Sequence, residues 1–193
     1  MENVSVKLTE YILKKGIIKD EDYALYLYGI QTGLESILCI AASMIIACLT
    51  HSFMEYFIVL CVLMPIRSYT DGIHMKKFYS CFLCSVMVLT CGPIFVKLVS
   101  LPDAWGVIIS LIVMLVLHAL SYVNTGTRYD DKSVRFFARQ RIKIFIITII
   151  ALLIFYKLGC TDYIELVMYA LSFSLITVVL EIIKIKIYSK KHK

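Results

Sequence analysis

Residues 104–123 run for twenty positions without a single Asp, Glu, Lys or Arg. A helix of that length crosses the hydrocarbon core of a bilayer, which takes about 20 apolar residues. Five further apolar runs accompany it, at 30–50, 53–66, 81–99, 144–158 and 163–183. Hydrophobic residues make up 60% of the 193 and the mean hydropathy is +0.83, well above the roughly 45–50% apolar usage of soluble domains. In lipid every backbone N–H and C=O must be satisfied within its own segment or a closed barrel, so runs of this kind become helices. The sequence therefore predicts an all-α, polytopic integral membrane protein with about six apolar segments, four to six of them true spans. The run 53–66 is short. It becomes adequate only if His51 and Arg67 mark its ends or the bilayer thins locally. Pro65 stands near its end, where a helix kinks or stops, and Gly92-Pro93 interrupts the run 81–99.

Charge placement orients these segments. With six spans, alternate loops share a side, and all of the 20 Lys and Arg except Lys97 and Lys157 then fall together. They precede the first span, follow the second, follow the fourth within a polar stretch at 124–143 read as a loop, and follow the sixth. The positive-inside rule makes that side cytoplasmic, both termini included. The net charge of +6 is accounted for by basic loops beside anionic lipid rather than by a nucleic-acid partner. Residues 1–28 carry no signal-peptide core. Leu8, Tyr11, Ile12 and Lys15 recur at helical spacing up to Gly16, which predicts an N-terminal amphipathic helix, either on the membrane surface or in the cytoplasm, with a second helical start near Asp20. There is no internal repeat or linker, so residues 1–193 read as a single membrane-embedded domain.

The seven cysteines, Cys39, Cys48, Cys61, Cys81, Cys84, Cys91 and Cys160, are odd in number and mostly lie within apolar runs. They read as small packing hydrophobes rather than a disulfide framework. Cys81 differs. It closes a polar break at 67–81, RSYTDGIHMKKFYSC, that also holds Arg67, Asp71, Gly72 and His74. A thiol and an imidazole that meet form a nucleophile and its base. Positions seven apart on an unbroken helix are separated by about 10.5 Å along its axis, whereas a direct hydrogen bond needs about 3–3.5 Å. A His74–Cys81 pair therefore requires a bend, which Gly72 permits, with His74 outside a helix that Cys81 begins. There the helix dipole, Lys76 and Lys77 favour the thiolate. Asp71 either orients His74, as a third group does in triads, or caps a turn. Arg67 either binds a substrate carboxylate or oxyanion, or anchors the helix end by snorkelling.

Spacing alone leaves other roles open. His74, Cys81 and Cys84 supply three ligands, but at no common zinc spacing, and there is no P-loop; neither a metal nor a cofactor is expected. Glu35 within a span is either functional or a boundary residue, His118 is a packed or interfacial histidine, and His51 belongs to a loop.

The pattern Arg67-x4-Gly72-x-His74-x6-Cys81 resembles the accessory gene regulator B (AgrB) family of bacterial membrane peptidases, which pairs Arg, Gly, His and Cys at these spacings. The resemblance extends to Tyr28-Gly29 at the entry to the first span, to the number of segments, and to the polar stretch 124–143 followed by another span. Asp71 stands where many members have Gly, and Ile73 where an aromatic is common. The resemblance implies a cysteine peptidase of the bacterial cell membrane, with its active site on the cytoplasmic side. It would process an AgrD-like precursor peptide into a cyclic quorum-sensing signal. Cys81 would be the nucleophile, His74 the base, and Arg67, Gly72 and Asp71 supporting residues. A homodimer is implied as well. A small transporter with His74 and Glu35 on its path, or a non-catalytic signalling scaffold, remains the alternative; neither needs the Cys81 thiol.

Overall fold

The computed structural model describes residues 2–70, 78–99, 101–126 and 130–191. Among them there is no strand. The helices are α1 (Glu2–Lys14), α2 (Tyr23–Leu49), α3 (Phe53–Thr70), α4 (Phe78–Leu98), α5 (Asp103–Gly126), α6 (Asp131–Leu158) and α7 (Thr161–Lys191), with a 3-10 turn at Asp20–Asp22 before α2. Four stretches are long and apolar enough to cross a bilayer: Gly29–Leu49, Phe53–Thr70, Asp103–Gly126 and Thr161–Ile187. Leu83–Leu98 of α4 is a shorter apolar helix. The protein is thus an all-α polytopic membrane protein, as the apolar runs predict.

Internal contacts divide the chain into two units, Met1–His51 with Met75–Met87, and Ser52–His74 with Val88–Lys193. In the first, α1 packs on α2 through its small polar residues. Ser5 and Thr9 are fully buried, and the Thr9 hydroxyl donates to the Ser5 carbonyl one turn earlier, 2.7 Å away. The apolar Val4, Leu8 and Tyr11 point outward. Such an outward apolar stripe suits a helix lying in the membrane interface. Gly16, at φ +69°, ends this helical stretch in the left-handed region, where a side chain would be strained.

The second unit is built on α3, α5, α6 and α7. Its core gathers Ile66 from α3, Met114 and Leu117 from α5, Phe145 and Leu152 from α6, and Ile164 and Leu171 from α7. α5 and α7 approach closely at Gly106, where an added Cβ would lie 2.8 Å from the Ile164 Cγ2. With lipid as solvent, small residues at such crossings let backbones approach and gain dispersion contact. Neither proline ends its helix. α3 continues past Pro65 to Thr70 and α4 past Pro93 to Leu98, so the expected interruption at Gly92-Pro93 is absent.

The stretch 124–143 departs from the expected loop. α5 continues to Gly126 and α6 begins at Asp131. The buried residues of α6 are Val134, Arg141, Phe145, Thr148 and Leu152, spaced to form one face of a 3.6-residue helix. Lys132, Arg135, Arg139 and Lys143 fall on its exposed faces. The charges that resemble a loop in sequence are the solvated side of an amphipathic helix end. α6 closes at Gly159, which adopts φ 66° and donates its N–H to the Phe155 and Tyr156 carbonyls, an αL cap.

Candidate functional site

The two helices that flank the polar break carry the residues nearest to it. α3 brings Arg67 into its last turn, where a cation meets the negative end of the helix dipole; its side chain is half-buried and engaged. α4 begins at Phe78, which puts Cys81 in its first described turn. Asp71, Gly72 and His74 lie outside the described residues. Cys84, one turn beyond Cys81, is half-buried. Cys48, Cys61 and Cys91 are exposed, and Cys39 and Cys160 are half-buried.

The end of α3 is held from α6. The Tyr69 ring lies 6.5 Å from Phe136 and 6.4 Å from Phe137, centroid to centroid, and these two rings meet edge-on at 5.9 Å. Ile66 and Thr70 are each 1% exposed. Across this contact Arg141 donates from Nη1 to the Tyr69 carbonyl at 3.0 Å. Arg141 is fully buried. Hydrogen bonds made by a charged group contribute roughly 1.5–3 kcal/mol, and a buried cation without such partners would cost more than that.

Arg141 was legible only as one basic residue of a supposed loop. The signal that finds it is helical spacing: it shares the face of Val134, Phe145 and Leu152. Glu165 was missed as well. It is 2% exposed, and its Oε1 accepts the Leu101 N–H at 2.7 Å, which fixes the chain just before α5. His118 lies half-buried on α5 with its ring 6.3 Å from Phe145 in an edge contact. Glu35 accepts from the Gln31 amide on the preceding turn at 3.3 Å. His51 forms the α2–α3 turn with φ 52°. Among the described residues no three His, Cys, Asp or Glu gather to hold a metal ion.

The model of one protein family, described as Accessory gene regulator B, matches residues 5–185. Neither curated proteins nor solved structures give a match.

Proposed function

We propose, from the premise that the chain belongs to the accessory gene regulator B family, that it is the membrane cysteine peptidase that cleaves and cyclises an AgrD-like quorum-sensing precursor. Membership carries the coarser statement directly: the protein belongs to accessory gene regulator peptide processing and is related to the AgrD propeptide. The finer reading rests on one observation above the others. Within the matched residues the chain holds Arg67, Gly72, His74 and Cys81 at the family spacing, and α4 carries Cys81.

In this reading His74 takes the Cys81 proton, and the thiolate attacks the carbonyl of the peptide bond that follows the signal segment. The C–N bond breaks, the leaving amine takes the proton back from His74, and the tail departs, leaving a thioester on Cys81. A cysteine thiol within the precursor then attacks the thioester carbonyl. A thiolactone closes and Cys81 leaves as the thiol. One thioester replaces another, so the ring closure needs no nucleotide. Arg67 supports a substrate carboxylate or the oxyanion, and Asp71 is a further supporting residue, orienting His74 or capping a turn. The 193 residues act as one peptidase domain, as a homodimer, with both termini and the active site facing the cytoplasm of a bacterial cell.

Coexpression with a candidate precursor, followed by mass measurement of the released tail, tests the reading. His74→Ala abolishes tail release at unchanged amounts of inserted protein, while His118→Ala keeps most of it. Equal loss in both variants at equal expression contradicts His74 as the base.

A further inference from the structure

We propose that α1 is a binding element for anionic lipid. It lays Val4, Leu8 and Tyr11 into the membrane interface and sets Lys7, Lys14 and Lys15 against the charged headgroups of that leaflet. The proposal stands apart from the reading of Cys81 and His74.

The first observation is which face α1 turns inward. Where it packs on α2, the fully buried residues are Ser5 and Thr9, while Val4, Leu8 and Tyr11 are each about half exposed. A helix folded for water does the reverse, because burial of its apolar stripe is what holds it to its neighbour. The inward polar face costs little here, since the Thr9 hydroxyl is satisfied on the Ser5 carbonyl at 2.7 Å. The apolar stripe is left for another solvent.

The second observation is where the lysines stand. At 3.6 residues per turn Val4, Leu8, Tyr11 and Lys15 fall within about 60° of one another, with Ser5 and Thr9 about 115° round on one side and Lys7 and Lys14 about 75° round on the other. Lys15 prolongs the helix by donating its N–H to the Tyr11 carbonyl at 3.1 Å, and its Nζ lies 5.7 Å from the centroid of the Tyr11 ring. All three lysines are exposed. An apolar stripe bordered by lysines seats a helix at headgroup depth, with apolar side chains in the acyl boundary and ammonium groups among phosphates. Over residues 1–19, Lys7, Lys14, Lys15 and Lys19 outnumber Glu2 and Glu10, and the acidic run Asp20–Asp22 falls in the 3-10 turn beyond α1. This balance is complementary to an anionic leaflet.

The third observation is location. The apolar stretch of α2, the helix on which α1 packs, begins at Gly29, so α1 is tied to the helix that carries the chain into lipid. Ile17, just past α1, is exposed as well.

The test uses the full chain in vesicles with a single reporter. The chain has one tryptophan, Trp105. Trp105→Phe is combined with Leu8→Trp, with Val4→Trp as a second reporter on the same stripe, or with Glu10→Trp on another exposed face. In vesicles of equal parts phosphatidylcholine and phosphatidylglycerol, both stripe reporters are expected to be quenched by brominated lipid and shielded from acrylamide, and Glu10→Trp to show the opposite order. Brominated phosphatidylglycerol diluted into phosphatidylcholine is expected to quench a stripe reporter about twofold more than the same amount of brominated phosphatidylcholine, and Lys7→Gln, Lys14→Gln and Lys15→Gln together should bring that ratio to about one. Acrylamide quenching of the stripe equal to that at Glu10→Trp places α1 in water and overturns the proposal. Shielding from acrylamide and brominated lipid alike shows a protein surface on the stripe, a second copy or another partner, and overturns it too. Equal quenching by the two brominated lipids, or a preference that survives the loss of the lysines, overturns the assignment of anionic headgroups.

Discussion

The Tyr169 hydroxyl of α7 donates to the Val88 carbonyl of α4 at 2.9 Å. Pro93 lacks an N–H, so the carbonyl of Leu89 loses its helical donor and the proline ring pushes against it. Tyr169 supplies an outside donor one residue away, with its ring 5.3 Å from that of Phe95. Gly92 makes the approach possible: an added Cβ would lie 3.3 Å from both the Tyr169 Cε1 and the Val59 Cγ2. Tyr169→Phe keeps the ring and removes the donor, and is expected to lower stability by about 1 kcal/mol. Gly92→Leu should cost more, about 1–3 kcal/mol, by overpacking. Thermal unfolding of the two variants in one detergent checks the order.

These contacts also show how far sequence reasoning reached. The length of the run 104–123 placed α5 to within a few residues, because lipid leaves a long apolar segment no alternative to a helix. Pro93 misled because α4 is held from outside at this point: the hydroxyl of Tyr169, far along the chain and invisible locally, bonds the neighbouring Val88 carbonyl. The stretch 124–143 misled for a different reason. Its polarity resembles that of a loop, although Val134, Arg141 and Phe145 stand at helical spacing. Of the candidate site, residue types and spacing were legible. The hold of Arg141 on Tyr69 was not, since it joins positions separated by 72 residues.

Gly106 and Ile164 should behave as a coupled pair. Ile164 Cγ2 is fixed to a branched Cβ and cannot swing away from a new methyl group. Gly106→Ala is therefore expected to destabilise the α5–α7 contact by about 1–3 kcal/mol. Ile164→Ala is destabilising by itself, through the cavity it leaves. In the double variant the two losses should sum to less than their separate values, which a double-mutant cycle on unfolding midpoints measures.

Glu165 should tolerate loss of charge better than loss of its oxygen. Glu165→Gln still offers the Leu101 N–H an acceptor. Glu165→Ala leaves that donor unsatisfied, a cost of about 1–3 kcal/mol. The expected readout is faster proteolysis around 99–102 in the alanine variant and little change in the glutamine variant.

Membrane orientation is open to labelling. Lys132 and Lys157 stand near opposite ends of α6 and are both exposed. On the charge argument, which needs α4 and α6 to cross the bilayer besides the four long apolar stretches, Lys132 faces the cytoplasm. In a background whose other exposed cysteines are replaced, Lys157→Cys should react with a membrane-impermeant maleimide in intact cells and Lys132→Cys only after permeabilisation. Outside labelling of Lys132→Cys reverses the orientation.

The most direct measurement identifies the nucleophilic thiol. Cys81 and Cys84 are three positions apart on α4, so they lie about one turn apart on neighbouring faces, and Cys84 falls deeper in the apolar run. A peptide-like electrophile is added to membranes that hold the unaltered chain, and the modified residue is mapped by mass spectrometry beside the cleavage activity of Cys81→Ser and Cys84→Ser. The account predicts modification at Cys81, slowed in His74→Ala, with cleavage abolished in Cys81→Ser and largely kept in Cys84→Ser. Preferential modification of Cys84, or cleavage that survives in Cys81→Ser, contradicts it.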